Sequence, residues 1–195
     1  MAIATSIKLI TAATSNAVTT AEANYWPKVD VSDATDNAFM DTLVVSAQRQ
    51  VEAYTNRVLN DTVYEFNLSA FPAGGIVLPF SKLKVLTSIK YYDTSNNIQT
   101  WADTNYFYDL NETPPVVRYV DSSPDTYNYR VDAVTVKFTV GFTSPEVIPE
   151  GLKVAIKYLM TDIYENRVDM PREKFTAWKS IAYPFRIWHS TSDNK

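Results

Sequence analysis

The apolar pattern of this chain changes period twice. Over residues 39–58 and 152–163 apolar side chains recur every three or four residues; between about 62 and 142 they alternate, and residues 1–18 show no period. The first spacing lines one face of a helix and the second one face of a strand. Phe39, Leu43, Ala47, Val51, Tyr54 and Val58 mark a helix over residues 36–57, widened by Met40 and Val44. Thr35 or Asp36 can cap its start, and Asn56 suits a left-handed C-cap. Leu152, Ile156, Leu159 and Ile163 mark a second helix over 150–166, entered through Pro149, with Lys153, Lys157, Asp162 and Glu165 facing away. Only these two segments carry enough apolar face to pack on each other, and they bracket the alternating region. The expected fold class is α+β: a small helical bundle (residues 19–61 and 143–183) with an inserted antiparallel β subdomain (62–142). An extended N-terminal arm (1–18) and a C-terminal tail (184–195) complete it.

Finer signals fill in this outline. Thr19-x-x-Glu22 is a capping box that opens a short helix over 21–26, stopped by Pro27. Within the insert, strands are predicted at 63–68, 76–78, 85–92, 98–101, 106–110, 116–120 and 133–140, forming a small barrel or sandwich. Val134, Val136, Phe138 and Val140 should point one way and Thr135, Lys137 and Thr139 the other. A last helix is expected over 172–182, ending before Pro184, with residues 190–195 disordered when alone.

Composition removes whole classes of chemistry. The 195 residues include 4 Gly, 1 His and no Cys. That argues against phosphate-cradling glycine loops, thiol catalysis, disulfides and Cys- or His-rich metal sites. No cofactor is expected. No hydrolase, P-loop or metalloprotease motif occurs, and no run approaches the roughly 18 apolar residues of a spanning helix. Nothing resembles a targeting signal, and the sequons at Asn60, Asn67 and Asn111 read as chance matches. Asp30/Asp33 and Asp121/Asp125 fall in loop sequence, where Asp serves turns. His189 reads as a polar tail residue. A net charge of −4 does not suit a general DNA binder. The charge is uneven: residues 1–148 carry 10 basic and 16 acidic side chains, and 149–195 carry 8 and 6.

The basic excess coincides with aromatics. Phe175, Trp178, Tyr183, Phe185 and Trp188 interleave with Lys174, Lys179 and Arg186. Trp178 reads as core. Tyr183, Phe185, Arg186 and Trp188 read as exposed residues that dock on a partner, because aromatics beside arginine make binding hot spots. Arg57 and Arg167 close two similar tetrads, Tyr54-Thr55-Asn56-Arg57 and Tyr164-Glu165-Asn166-Arg167. Either each complements its helix dipole or one bridges to a neighbouring subunit. Lys153 and Lys157 join Arg57 and Arg167 as subunit-interface candidates.

The order of segments resembles the head–tail connector (adaptor) proteins of tailed bacteriophages, in the variety with a β insertion. Val18-Thr-Thr-Ala-Glu-Ala23 is similar to that family's first-helix signature. Ala47-Gln-Arg-Gln-Val-Glu-Ala-Tyr-Thr-Asn-Arg-Val-Leu59 is similar to its second helix, with Asn56 where glycine is usual. Leu78-Pro79 and Val85-Leu-Thr-Ser-Ile-Lys-Tyr91 look like its strand entry. Residues 134–141, Pro149 and 152–167 look like its last strand and long helix.

The resemblance implies a virion protein with no catalytic residues. It would form a ring, usually of twelve copies, beneath the portal, extending the DNA channel and completing the head after packaging. Its partners would be itself, the portal protein and a stopper or tail-completion protein, with DNA passing through the lumen without sequence-specific binding. The tail from Tyr183 onward would reach the portal, and the helices over 36–57 and 150–166 would supply the faces between copies. Twelve copies at −4 sum to roughly −48, a charge that discourages adhesion of a passing polyanion. Competing readings are a stopper or tail-terminator subunit, a carbohydrate- or protein-binding β module using Tyr106–Tyr108 and residues 127–129, and a carboxylate hydrolase.

Overall fold

A computed structural model describes residues 5–26, 34–80, 82–166 and 177–188. Arg167, Asp30, Asp33, Lys174, Phe175, His189 and the segment 190–195 lie outside these residues, as do the first five positions of the helix expected over 172–182.

The chain packs as two units. One holds the described residues of 14–60 and 142–186; the other holds those of 1–13, 61–141 and 187–195. Both the insert's start and its end are anchored in the first unit. Asn60 bridges Phe142 in parallel, and the Phe142 N–H donates to the Leu59 carbonyl at 3.1 Å.

The helical unit contains α1 (Thr20–Tyr25), α2 (Ala34–Thr55), α3 (Glu150–Glu165) and α4 (Ala177–Ala182). Thr19 and Glu22 form the expected reciprocal cap. Helix α2 begins at Ala34, so Thr35 and Asp36 lie inside it rather than at its cap. Asn56 takes φ 54 after its last residue, the left-handed stop that asparagine tolerates. Met40, Leu43, Val44, Ala47 and Val51 from α2 meet Leu152, Ala155, Ile156, Leu159 and Met160 from α3 in one core, which Ala17, Val18, Trp178 and Ala182 complete. Ala17 and Val18 thus belong to the bundle rather than to an arm. Phe39 stays on the rim.

Lys153 and Lys157 do not face away as expected. Lys153 is buried, and both side chains run along the bundle toward carboxylates. Lys153 lies 3.7 Å from Glu150, and Lys157 lies 3.8 Å from Glu22 and 3.9 Å from Glu150. A long methylene stem lets a lysine cover apolar surface while its ammonium stays paired.

The second unit is built on two antiparallel sheets. The strands are β1 (Thr5–Thr11), β2 (Thr62–Leu68), β3 (Ile76–Val77), β4 (Leu83–Tyr92), β5 (Ile98–Trp101), β6 (Tyr106–Tyr108), β7 (Val116–Tyr119) and β8 (Val134–Val140). The larger sheet has the order β1-β2-β8-β4-β5, and the smaller β3-β7-β6. Central β8 buries Val134, Val136, Phe138 and Val140 in strict alternation. Phe138 sits opposite Tyr64 on β2 and Leu86 on β4. Between the sheets, Phe71 packs its ring against Tyr91, Trp101 and Tyr119 at 4.9–5.9 Å. The segment read as an arm supplies β1, which pairs with β2 and becomes one edge of the sheet.

Candidate functional site

Two clusters on the helical unit carry the residues that could meet a partner. The first gathers at the end of α4. The Trp178 ring is buried and meets Tyr54 edge-on at 5.4 Å. The Arg186 guanidinium stands 5.1 Å from the Tyr54 centroid, and the Lys179 ammonium lies 5.5 Å from Trp178. Cations over aromatic faces are stabilised by the ring quadrupole. The residues after α4 do not leave as a free tail: Tyr183–Phe185 form a 3-10 turn. Phe185 turns inward against the bundle core, so close to Gly151 that an added Cβ there would meet its Cε2 at 2.7 Å.

The four docking candidates therefore split. In the helical unit Tyr183 is 57% exposed, whereas Phe185 and Arg186 are engaged by the unit's own residues; Trp188, 62% exposed, belongs to the β unit. Arg57 points into this cluster. Its Nε donates to the Phe185 carbonyl, and burial lowers its pKa from the ordinary arginine value. As placed, Arg57 ties the turn after α4 to the end of α2.

Sequence reasoning missed the second cluster. Trp26 and Tyr158 meet edge-on at 5.8 Å, with the Lys157 ammonium 5.9 Å from the Trp26 ring. Phe39 and Tyr164 lie 6.3 Å apart, and Tyr25 is almost wholly exposed. Tyr25-Trp26 just before Pro27 was the available signal: two large rings at the end of a one-turn helix have little chain to bury them.

A polar cluster holds α2 from within. Gln48 accepts from the Ala17 N–H at 2.8 Å and donates to Glu52 and Asn60, both at 3.0 Å. Glu52 also accepts from the Leu59 N–H at 3.0 Å. Each of these side chains is buried with its partners supplied, which makes the cluster a fastening of the chain rather than a reactive site.

Among the described residues, the carboxylates whose pKa departs from its ordinary range are all lowered rather than raised. Glu22, Glu112, Asp132, Asp93 and Glu146 all have pKa values below their ordinary ranges, chiefly through hydrogen bonds to Thr19, Arg118, Arg130, the Asn97 backbone and Ser144 respectively. A general acid at neutral pH needs the opposite shift. Asp121 and Asp125 are exposed loop residues. Among the described residues, no three His, Asp or Glu side chains could hold a metal ion, and no helix is long and apolar enough to cross a membrane. The tyrosines that suggested a sugar platform are partly committed elsewhere: Tyr106 packs on Trp101 at 5.4 Å and Tyr127 on Tyr129 at 5.6 Å. A cleft of about 490 Å³ beside Phe71, Pro124 and Thr126 has no charged group other than exposed Asp125.

Neither a protein-family model nor a curated protein matches the sequence. The fold, however, is shared with solved structures. A chain in the neck of an empty GTA particle computed with C6 symmetry superposes with a TM-score of 0.81 at 18% identity, over 97% of this chain and 100% of that one. A chain in the virion of a native gene transfer agent (GTA) particle gives 0.78 at 18% identity, covering 97% and 99%. A chain in the neck of a native GTA particle computed with C12 symmetry gives 0.73 at 19% identity, covering 97% and 100%.

Proposed function

We propose that this chain is a structural neck protein of a phage-like particle: a head–tail adaptor that forms a ring beneath the portal and carries the stopper or tail. The observation that carries the reading is the fold shared over 97% of the chain with chains of GTA necks and virions. A structural rather than enzymatic role is part of the same reading, and it rests on those neck and virion chains. The order of sequence signatures points to the adaptor among neck proteins, and twelve copies is the count that resemblance implies.

In this reading Tyr183 and Trp188 are the exposed side chains offered to the portal, and Arg57 sets the turn that presents Tyr183. DNA would pass through the lumen without base-specific contact. Native particles carrying a tagged copy of this chain, imaged without imposed symmetry, provide the test. A twelve-fold annulus at the portal's outer face is the expected result. A six-fold layer farther down the tail would favour a stopper or terminator, and absence from the neck would overturn the proposal.

A further inference from the structure

Among the described residues, the five-stranded sheet ends in two edges, β1 and β5, that no further strand pairs. Strand β1 is exposed at all seven residues, although its register with β2 is regular from Thr5 to Leu9. Ile7 and Leu9 lie opposite Phe66 and Tyr64, so they stand on the same side of the sheet as those rings. Phe66 is buried there, but Ile7 is 42% exposed and Leu9 48%. The core-side face thus runs outward onto β1 and is left uncovered. At the opposite edge, β5 turns Trp101 inward and leaves Ile98, Gln99 and Thr100 exposed, with Ile98 at 58%.

Edge strands in isolated domains are normally blunted by proline, by charge or by a covering element, because a bare row of N–H and C=O groups templates further pairing. Strand β5 has no charged residue and no proline. Strand β1 has one lysine, Lys8, whose cross-strand neighbour is Glu65 on β2. One molecule therefore holds two different open edges of one sheet, and neither repels the other. That is the combination a head-to-tail contact requires: the two surfaces differ, and a rotation from copy to copy closes them into a ring.

We propose that β1 of one copy pairs with β5 of the next, so that the sheet continues between subunits and the Ile7/Leu9 face is covered by the neighbouring copy. This rests on the ring reading above and names one contact that would build the ring. Because the chain has no cysteine, the contact can be tested with single thiols. Full-length Ser6→Cys and Thr100→Cys proteins are mixed, assembled on portal-bearing heads and treated with a short bis-maleimide. The expected result is an interchain product at least about tenfold above that of Ser6→Cys mixed with Asn111→Cys, whose thiol sits on an exposed loop. Rings that form without this excess, or a crosslink from the Ser6→Cys thiol to a portal or tail chain instead, would overturn the inference and leave the ring reading intact. Failure of the unmodified protein to form any ring would count against the ring reading itself. As a second measurement, Ile7→Lys/Leu9→Lys should keep the monomer's circular dichroism and lose assembly by at least about tenfold, since both positions are exposed. Unchanged assembly would also overturn the proposal.

Discussion

The two units solve the same burial problem differently. The helical unit finishes its core within itself and leaves only rings such as Tyr25 and Tyr183 on its rim: α2 and α3 share one apolar core, Gln48 and Glu52 accept from the Ala17 and Leu59 N–H groups, and even Lys153 and Lys157 are paired within the unit. The β unit buries Phe138 and gathers three rings around half-buried Phe71, yet its larger sheet stops at β1 and β5 with apolar side chains in the open. A protein acting alone would gain from covering those edges. A finished core in one unit and an unfinished sheet in the other suit the proposal that a neighbouring copy extends the sheet.

The sharpest way to break this contrast is to strike each unit once and compare the losses. Glu52→Ala removes the acceptor for both the Leu59 N–H and the Gln48 amide. Buried donors left without partners cost about 1–3 kcal/mol each, so urea melts followed by tryptophan fluorescence should show a loss of about 2–4 kcal/mol. Leu9→Ser on β1 should cost less than about 0.5 kcal/mol in the same assay, because its side chain is half in water already. Equal losses would mean that the β1 edge is as integral to the monomer as the bundle core.

Legibility in the sequence followed the same division. Helices α2 and α3 and strand β8 were readable because each buries one face, and one-sided burial is what a repeating apolar period records. Strand β1 buries neither face, so its Ile7-Lys8-Leu9 alternation is too short to separate it from an arm. Lys153 and Lys157 defeated the pattern for another reason: a charged residue counts as solvent-facing, although its stem can lie on the core. Gln48 and Glu52 sit on the buried side of α2 only because Ala17, Leu59 and Asn60 supply their partners, and those contacts span up to 31 residues. The candidate site suffered likewise. Tyr183 and Trp188 are exposed as expected, but Phe185 is claimed by a groove beside Gly151, which no local signal announces.

Gly151 gives a smaller effect whose sign is the informative part. Alanine in a helix is favoured over glycine by up to about 1 kcal/mol, so Gly151→Ala would stabilise a bundle whose Phe185 hung free. With Phe185 seated as found, the new methyl cannot fit until the ring moves. The expected outcome is a net loss of about 1 kcal/mol, the packing cost outweighing the propensity gain. It should be accompanied by a weaker Arg57 tie to the Phe185 carbonyl and faster hydrogen exchange in residues 182–186. A gain in melting temperature would restore the free-tail description.

The smallest effect separates the units by the origin of their acid sensitivity. Glu22 is held below the usual glutamate range by the Thr19 backbone N–H first, then by the Thr19 hydroxyl, Lys157 and Lys153, against an opposing contribution from burial. A carboxylate lowered on folding contributes stability above its unfolded pKa, and that contribution is lost as pH falls through the folded value. Glu112 and Asp132 in the β unit are lowered mainly by hydrogen bonds from Arg118 and Arg130, in pairs open to solvent. Carbon-detected titration should therefore find all three below their ordinary ranges at low ionic strength. Raising the salt to about 0.5 M should move Glu112 and Asp132 upward most, because surface pairs are screened while a backbone cap is not. Thr19→Ala should raise Glu22 alone and cost about 1 kcal/mol through the lost cap, leaving the β unit unchanged. If salt moved Glu22 as far as the other two, its anchor would be the lysines rather than the helix start, and the bundle's end would be held by the same exposed pairing as the sheet.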